Sequence, residues 1–96
     1  MRQERIDHLV RFTLTSPDEL ASLDAERLLA QLVPSDIAVR LDLSVTTLIH
    51  SGELAALVDM HKELGKHGKE FAITGISEGN RKLLRMTRLD QVLVLA

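Results

Sequence analysis

The chain has no cysteine, tryptophan or tyrosine, and its only aromatic residues are two phenylalanines. Without cysteine, disulfides and thiolate metal sites are excluded. With so few aromatics, base-stacking platforms for single-stranded nucleic acid are not suggested, and any core must be built from Leu, Val, Ile and Ala. No strong charge of either sign is present: 12 basic and 14 acidic residues leave a net charge of −2. That balance offers no electrostatic case for nucleic acid or an anionic membrane as partner. No apolar run approaches the ~20 residues needed to span a bilayer. The opening residues, MRQERIDHLV, lack the apolar segment of a signal peptide. A cytoplasmic protein without direct membrane insertion is the expectation.

What is present is a patterned chain of 96 residues, 45% of them hydrophobic. That is enough for one small domain over residues 1–96, which would bury roughly 60–70% of its unfolded surface. Ile6, His8, Val10, Phe12 and Leu14 alternate at period two and predict a strand over Ile6–Leu14. Ile37, Val39, Leu41 and Leu43 repeat the pattern over Asp36–Leu43. EFAITGI (Glu70–Ile76) and VLVLA (Val92–Ala96) are short apolar runs suited to buried strands.

Helical spacing fills the intervals. Ala25, Leu28, Leu29 and Leu32 form one stripe, ending before Pro34. Leu54, Leu57, Val58, His61 and Leu64 form a second, closed by the glycines of Gly65–Gly68. A third helix follows Ser77 as N-cap, with Leu83, Leu84 and Met86 as apolar anchors. SPDE (Ser16–Glu19) looks like a capping box with Pro at the first helical position. However, Leu20 and Leu23 lie off the stripe that follows. A turn near Ser16–Asp18 is therefore expected, with the main helix starting around Ser22–Asp24. Alternating strands and amphipathic helices predict an α/β fold with a mixed, largely parallel sheet of about four strands. Its crossovers should be right-handed, and its first strand can pair antiparallel.

Signals for catalysis are weak. The glycines make neither GxxxxGK[ST] nor GxGxxG, and no cofactor is implied. The tetrad HSGE (His50–Glu53) is not the GxSxG elbow, which needs Gly two residues before the Ser. His8, His50, His61 and His67 form no HxxxH or HExxH pair, so no metal site is expected. His61, on the apolar stripe, reads as a packed histidine with its imidazole reaching solvent. Arg81, Lys82, Arg85 and Arg88 read as a solvated face, or as a weak site for an anion or acidic partner. The chain reads as a binding protein and not an enzyme.

Ser51 stands where strand-like LDLSVTTLI gives way to a helix. A Ser at that place is expected to cap the helix by accepting an N–H bond. The same helix start tolerates a phosphate, because free N–H groups and the positive dipole end face it. A phosphate there would add about −1.5 to −2 charge where partners could dock.

From about Val10 to Leu95 the chain resembles the STAS domains, the sulfate transporter and anti-sigma factor antagonist family. The matching pieces are DEL (Asp18–Leu20), AERLLAQL (Ala25–Leu32), VRLDLSVTTLIHSGELAAL (Val39–Leu57), GKHGKEFAITGIS (Gly65–Ser77) and NRKLLRMTRLDQVL (Asn80–Leu93). The resemblance implies an anti-sigma factor antagonist-like regulator that binds a serine kinase acting as anti-sigma factor. In such members the Ser after the Asp of DSSG is phosphorylated, and a PP2C-type phosphatase reverses the mark. The corresponding acceptor here is Ser51, and the partner-binding residues are His50, Ser51, Gly52 and Glu53. The tetrad departs from the family pattern: His50 replaces the Asp, Gly52 the second Ser or Thr, and Glu53 the Gly. Glu53 should oppose a phosphate beside it. A late family Gly is Arg88, and the terminal helix and an initial strand are expected to be missing or very short. The alternative implied by the family is an unphosphorylated scaffold subunit bound to the ATPase of an ABC transporter.

Overall fold

The structure, a computed structural model, describes residues 1–96. Its strands are β1 (Arg2–Ile6), β2 (Leu9–Thr13), β3 (Ala38–Asp42), β4 (Glu70–Thr74) and β5 (Val94–Leu95). Its helices are α1 (Ala25–Leu29), α2 (Ser51–Lys66) and α3 (Glu78–Met86). The five strands lie in the order β1-β2-β3-β4-β5. β1 pairs antiparallel with β2, and all the other pairs are parallel.

The first predicted strand is in fact two. The chain reverses at Asp7, whose φ of 55° is in the left-handed region, and Ile6 lies opposite Leu9. Asp tolerates that conformation better than most residues. The period-two pattern continued across the turn and hid it. Val10, Phe12 and Leu14 are buried as expected, whereas Ile6 is exposed on β1. An initial strand is therefore present, contrary to the expectation from the family pattern.

Sequential parallel strands joined by right-handed crossovers place successive helices on one face of the sheet. That face carries Val10, Phe12, Val39, Leu41, Phe71 and Ile73, which form one core with Leu28, Leu54, Leu57, Met60, Leu64 and Leu84 of the helices. The alternate positions Arg11 and Arg40 point to the other face by strand periodicity.

Several burial patterns differ from the linear reading. The helix stripe of α2 centres on Leu54, Leu57, Met60 and Leu64; Val58 and His61 flank it, half-buried. His61 Nδ1 is buried without a hydrogen-bond partner, so this part of the ring does not reach solvent. In α3, Leu84 is buried and Leu83 half-buried, but Met86 is 73% exposed. Two residues beyond Leu84 on a helix is nearly the opposite side. Asn80, one turn before Leu84, takes the buried position instead. Leu20 and Leu23 both enter the core through a 3-10 turn over Glu19–Ser22.

The start of α1 agrees with expectation: Asp24 caps it, its carboxylate accepting from Arg27 N–H at 2.8 Å. The helix is shorter than its stripe, since it ends at Leu29. The capping-box residues of SPDE form a turn rather than a long helix, with Glu19 Oε1 accepting from Ser16 N–H at 3.2 Å. β3 starts late. Ile37 is 55% exposed, and Asp36 turns inward instead. Arg5 Nε and Nη2 each donate to the Asp36 carboxylate at 2.9 Å, and Val33 N–H donates at 2.8 Å. These bonds hold the Asp36 carboxyl down to about 2, against an ordinary 3.8, and they tie β1 to the loop before β3. At the other edge β5 is only two residues long, and its Val94 is exposed because Leu93 and Leu95 on either side of it face the core, so that Val94 points to the opposite face.

Both helix stops are visible in the backbone. Gly68, with φ of 72°, ends α2, and Lys69 N–H donates to Leu64 O at 3.0 Å, a C-terminal closure suited to glycine. After α3 the same role falls to Arg88, with φ of 62°, where the family pattern has its late Gly. A side chain in this conformation costs about 1–2 kcal/mol. Arg88→Gly is expected to stabilise the fold by about 1 kcal/mol, less the entropy that glycine adds to the unfolded chain. Urea denaturation would register this as a higher midpoint at unchanged slope; a lower midpoint would contradict the strain.

Candidate functional site

The carboxyl ends of β3 and β4 and the start of α2 meet at one end of the sheet, the place where open α/β sheets present their variable loops. β3 ends at Asp42 and β4 at Thr74, two residues paired in register. Leu43 N–H donates to Thr74 O at 2.9 Å and continues the pairing one step into the loop. Asp42 Oδ1 accepts from Ser44 N–H at 2.8 Å and also from the Ser44 hydroxyl, which turns the chain away from the sheet. Gly75 passes directly beside this turn. Its φ is 65°, and a Cβ placed on it would lie 2.6 Å from Asp42 Oδ1 and closer still to Ser44 Oγ.

The loop then crosses to α2 over a polar floor. Thr46 and Asn80 are buried. Asn80 Oδ1 accepts from Ile49 N–H at 2.8 Å, and Asn80 Nδ2 donates to Thr47 O at 2.9 Å. One side chain from the first turn of α3 thus satisfies two backbone groups that the loop could not pair within itself. Thr46 Oγ1 and Thr74 Oγ1 are buried without a hydrogen-bond partner.

The cap of α2 lies one residue earlier than Ser51. His50, in extended backbone, is the N-cap, and Glu53 reaches back so that its Oε1 accepts from His50 N–H at 3.1 Å. This is the carboxylate half of a capping box. His50 Nε2 also lies 3.3 Å from the same oxygen, with the imidazole largely exposed and the carboxylate nearly buried. Glu53 is therefore held against the backbone rather than projecting into solvent. The signal was in the sequence, since Glu53 stands three residues after His50. It was missed because placing the cap on Ser51 puts Leu54 at the corresponding position.

Ser51 is thus the first residue of a 16-residue helix, exposed and not acting as its cap. Gly52 follows, also exposed. A Cβ there would meet only His50 ring atoms, at 3.7 Å or more, an ordinary contact. No steric demand for glycine exists at this place, and a serine would fit. The tetrad is brought together as expected from its adjacency, with three of its members facing outward and Glu53 inward. Arg81, Lys82, Arg85 and Arg88 lie on or just after α3, and only Arg85 forms an ion pair, with Glu78 at 3.4 Å. The histidines stay apart, and nowhere do three His, Asp or Glu side chains gather as metal ligands would. No helix is long and apolar enough to cross a membrane.

Comparison with solved structures shows the same fold in several proteins. A sulfate transporter family protein from Wolinella succinogenes superposes with a TM-score of 0.77 at 15% identity, over 92% of this chain and 76% of that one. A chain of the stressosome, described as a signal integration and transduction hub, gives a TM-score of 0.78 at 18% identity over 99% of this chain and 86% of that one. An anti-sigma factor antagonist from Mycobacterium paratuberculosis gives 0.68 at 22% identity, over 98% and 81%. No curated protein matches. The STAS domain model matches residues 5–96. With that match over nearly the whole length, and a five-stranded, mostly parallel sheet with its helices in the expected order, the chain belongs to the STAS domain family.

Proposed function

We propose that this STAS domain is an anti-sigma factor antagonist-like regulator, acting in the cytoplasm, that binds a serine kinase serving as anti-sigma factor. The contact is made through the end of the molecule bearing His50, Ser51, Gly52 and Glu53, and Ser51 is the switch. The observation that carries the reading is the exposed Ser51 at the first position of α2. His50 and Glu53 complete the cap, which leaves the Ser51 hydroxyl free of a structural task.

In the reaction proposed, Ser51 Oγ attacks the γ-phosphorus of ATP. The bond from that phosphorus to the bridging oxygen breaks, ADP leaves, and the hydroxyl proton passes to the kinase base. A PP2C-type phosphatase returns the serine by hydrolysis, releasing inorganic phosphate. The product phosphate would lie beside the first N–H groups of α2, where the helix dipole favours it. Because Glu53 is drawn back onto His50 N–H, its charge is partly compensated there, and its opposition to the phosphate is smaller than adjacency alone suggests.

The test incubates the protein with ATP and the serine kinase that co-purifies with it. Mass spectrometry is expected to find phosphate on the peptide containing Ser51 and none on the Ser51→Ala protein. Ser51→Asp is expected to weaken the complex by at least ~10-fold, the order set by one new uncompensated charge at an interface. No incorporation, together with unaltered binding by Ser51→Ala, overturns the switch. Stable co-purification with an ABC-transporter ATPase in place of the kinase would establish the scaffold role.

A further inference from the structure

The outer side of β1 is unpaired. Every residue of the strand is exposed, and no strand lies beyond it. Leu14 N–H and His8 O bond to β3. By alternation Val10 and Phe12 turn their backbone groups the same way, and Leu9, Arg11 and Thr13 turn theirs towards β1. The register partners of those three, Ile6, Glu4 and Arg2, are therefore occupied inside the hairpin. The N–H and C=O groups of Gln3 and Arg5 point outward, a template for one more strand. The helix-covered side leaves room for it: a hollow of about 420 Å³ lined by Met1, Gln3, Glu19, Arg27, Ala30 and Gln31 opens beside the edge.

Charge on an edge strand usually opposes pairing, so the pattern of sign in RQERI decides what can add there. Two copies of the chain would meet through a two-fold axis perpendicular to the sheet, which makes the edge strands antiparallel. With the axis at Gln3, the two Gln3 residues form a hydrogen-bonded pair from their outward groups. Arg2 of each copy then stands opposite Glu4 of the other, at the closer, non-hydrogen-bonded spacing where opposite charges attract. Glu4 is available for this, since its own-chain partner Arg11 is 3.8 Å away and exposed. Arg5 falls opposite Met1, but both charges are already met: the Arg5 guanidinium by Asp36 and the Met1 ammonium by Glu19 at 2.6 Å. An axis at Arg2, Glu4 or Arg5 would set that residue against its own like-charged copy, and an axis at Ile6 would pair Ile6 alone. We propose that β1 is a self-association edge, where a second copy of the chain adds antiparallel with Gln3 on the axis and reciprocal Arg2–Glu4 pairs beside it. The contact is short and polar, which makes the dimer weak. It uses none of His50, Ser51, Gly52 and Glu53, so it stands apart from the function proposed for that end.

The experiment is sedimentation equilibrium over roughly 10 μM to 1 mM protein, with the fold of each variant verified by thermal melting. The wild-type mass is expected to rise from monomer towards dimer across that range. Arg2→Glu and Glu4→Arg each oppose like charges in both pairs, and each alone is expected to weaken the dimer about 10-fold. Mixed in equal amounts, the two variants are expected to recover dimer of wild-type strength, because the acids of one chain then face the cations of the other. The double variant Arg2→Glu with Glu4→Arg is expected to recover it as well. Gln3→Pro removes an outward N–H without touching the hairpin ladder and is expected to stay monomeric. A wild type that remains monomeric up to ~1 mM overturns the proposal. A dimer that neither single charge reversal weakens places the contact elsewhere and overturns it too. Failure of the mixture to recover the dimer overturns the register, and with it the argument for a second copy.

Discussion

Phe12→Ala is expected to remove about 3–5 kcal/mol of stability, the range for truncating a buried aromatic. For a domain this size that corresponds to a fall in Tm of roughly 15–30 °C. Phe12 has no solvent-exposed surface. It sits in β2, opposite Gln3 of β1 and Leu41 of β3, and its side chain belongs to the single core that the three helices cover. β2 is paired on both sides, by β1 and β3, so the backbone around Phe12 can close only part of the void. With total stability of about 5–15 kcal/mol typical for a domain, the loss is a large share of the whole. Urea denaturation measures it directly, and a loss below about 1 kcal/mol would mean that the space around Phe12 is not closely packed.

Gly75→Ala carries the second large effect, and it acts at the end of the sheet that bears the candidate site. Two terms add. The positive φ costs a side chain about 1–2 kcal/mol, and forcing atoms into filled space costs about 1–3 kcal/mol more. The new methyl would press on Asp42 Oδ1 and Ser44 Oγ, the two groups that turn the chain out of β3. Gly68→Ala is the control. Its φ of 72° is of the same kind, but nothing lies within 4 Å of the added carbon. Gly75→Ala is expected to lose about 2–5 kcal/mol and Gly68→Ala about 1–2 kcal/mol, both read from urea midpoints. Equal losses would show that the crowding at Asp42 and Ser44 is relieved at no cost.

The two glycines illustrate how different kinds of information are stored. Gly68 ends a run of helical spacing, and its role was readable from that run alone. The demand on Gly75 comes from Asp42 and Ser44, more than thirty residues earlier, and arises only when β3 and β4 lie in register. The tetrad shows a mixture. Its place at a strand-to-helix junction was readable, and so was the Glu three residues after His50. Assigning the cap to Ser51 rather than His50 followed from the usual preference for serine at that position. The structure gave weight instead to the carboxylate that could reach back.

What the sequence by itself determined is the class of fold: alternation at period two, stripes at period 3.6 and glycine stops are local, and each is set by the geometry of one element. This was enough to predict α/β order, a mostly parallel sheet and the burial of Val10, Phe12, Val39, Leu41 and Ile73. Only the tertiary structure decided which residues meet across elements. It split the first strand at Asp7, turned Asp36 inward to Arg5, buried Asn80 beneath the loop before α2 and left Met86 in solvent. Each depends on a partner distant in the chain. A buried polar group is stable only where its hydrogen bonds are completed, and the groups that complete them are brought near by packing.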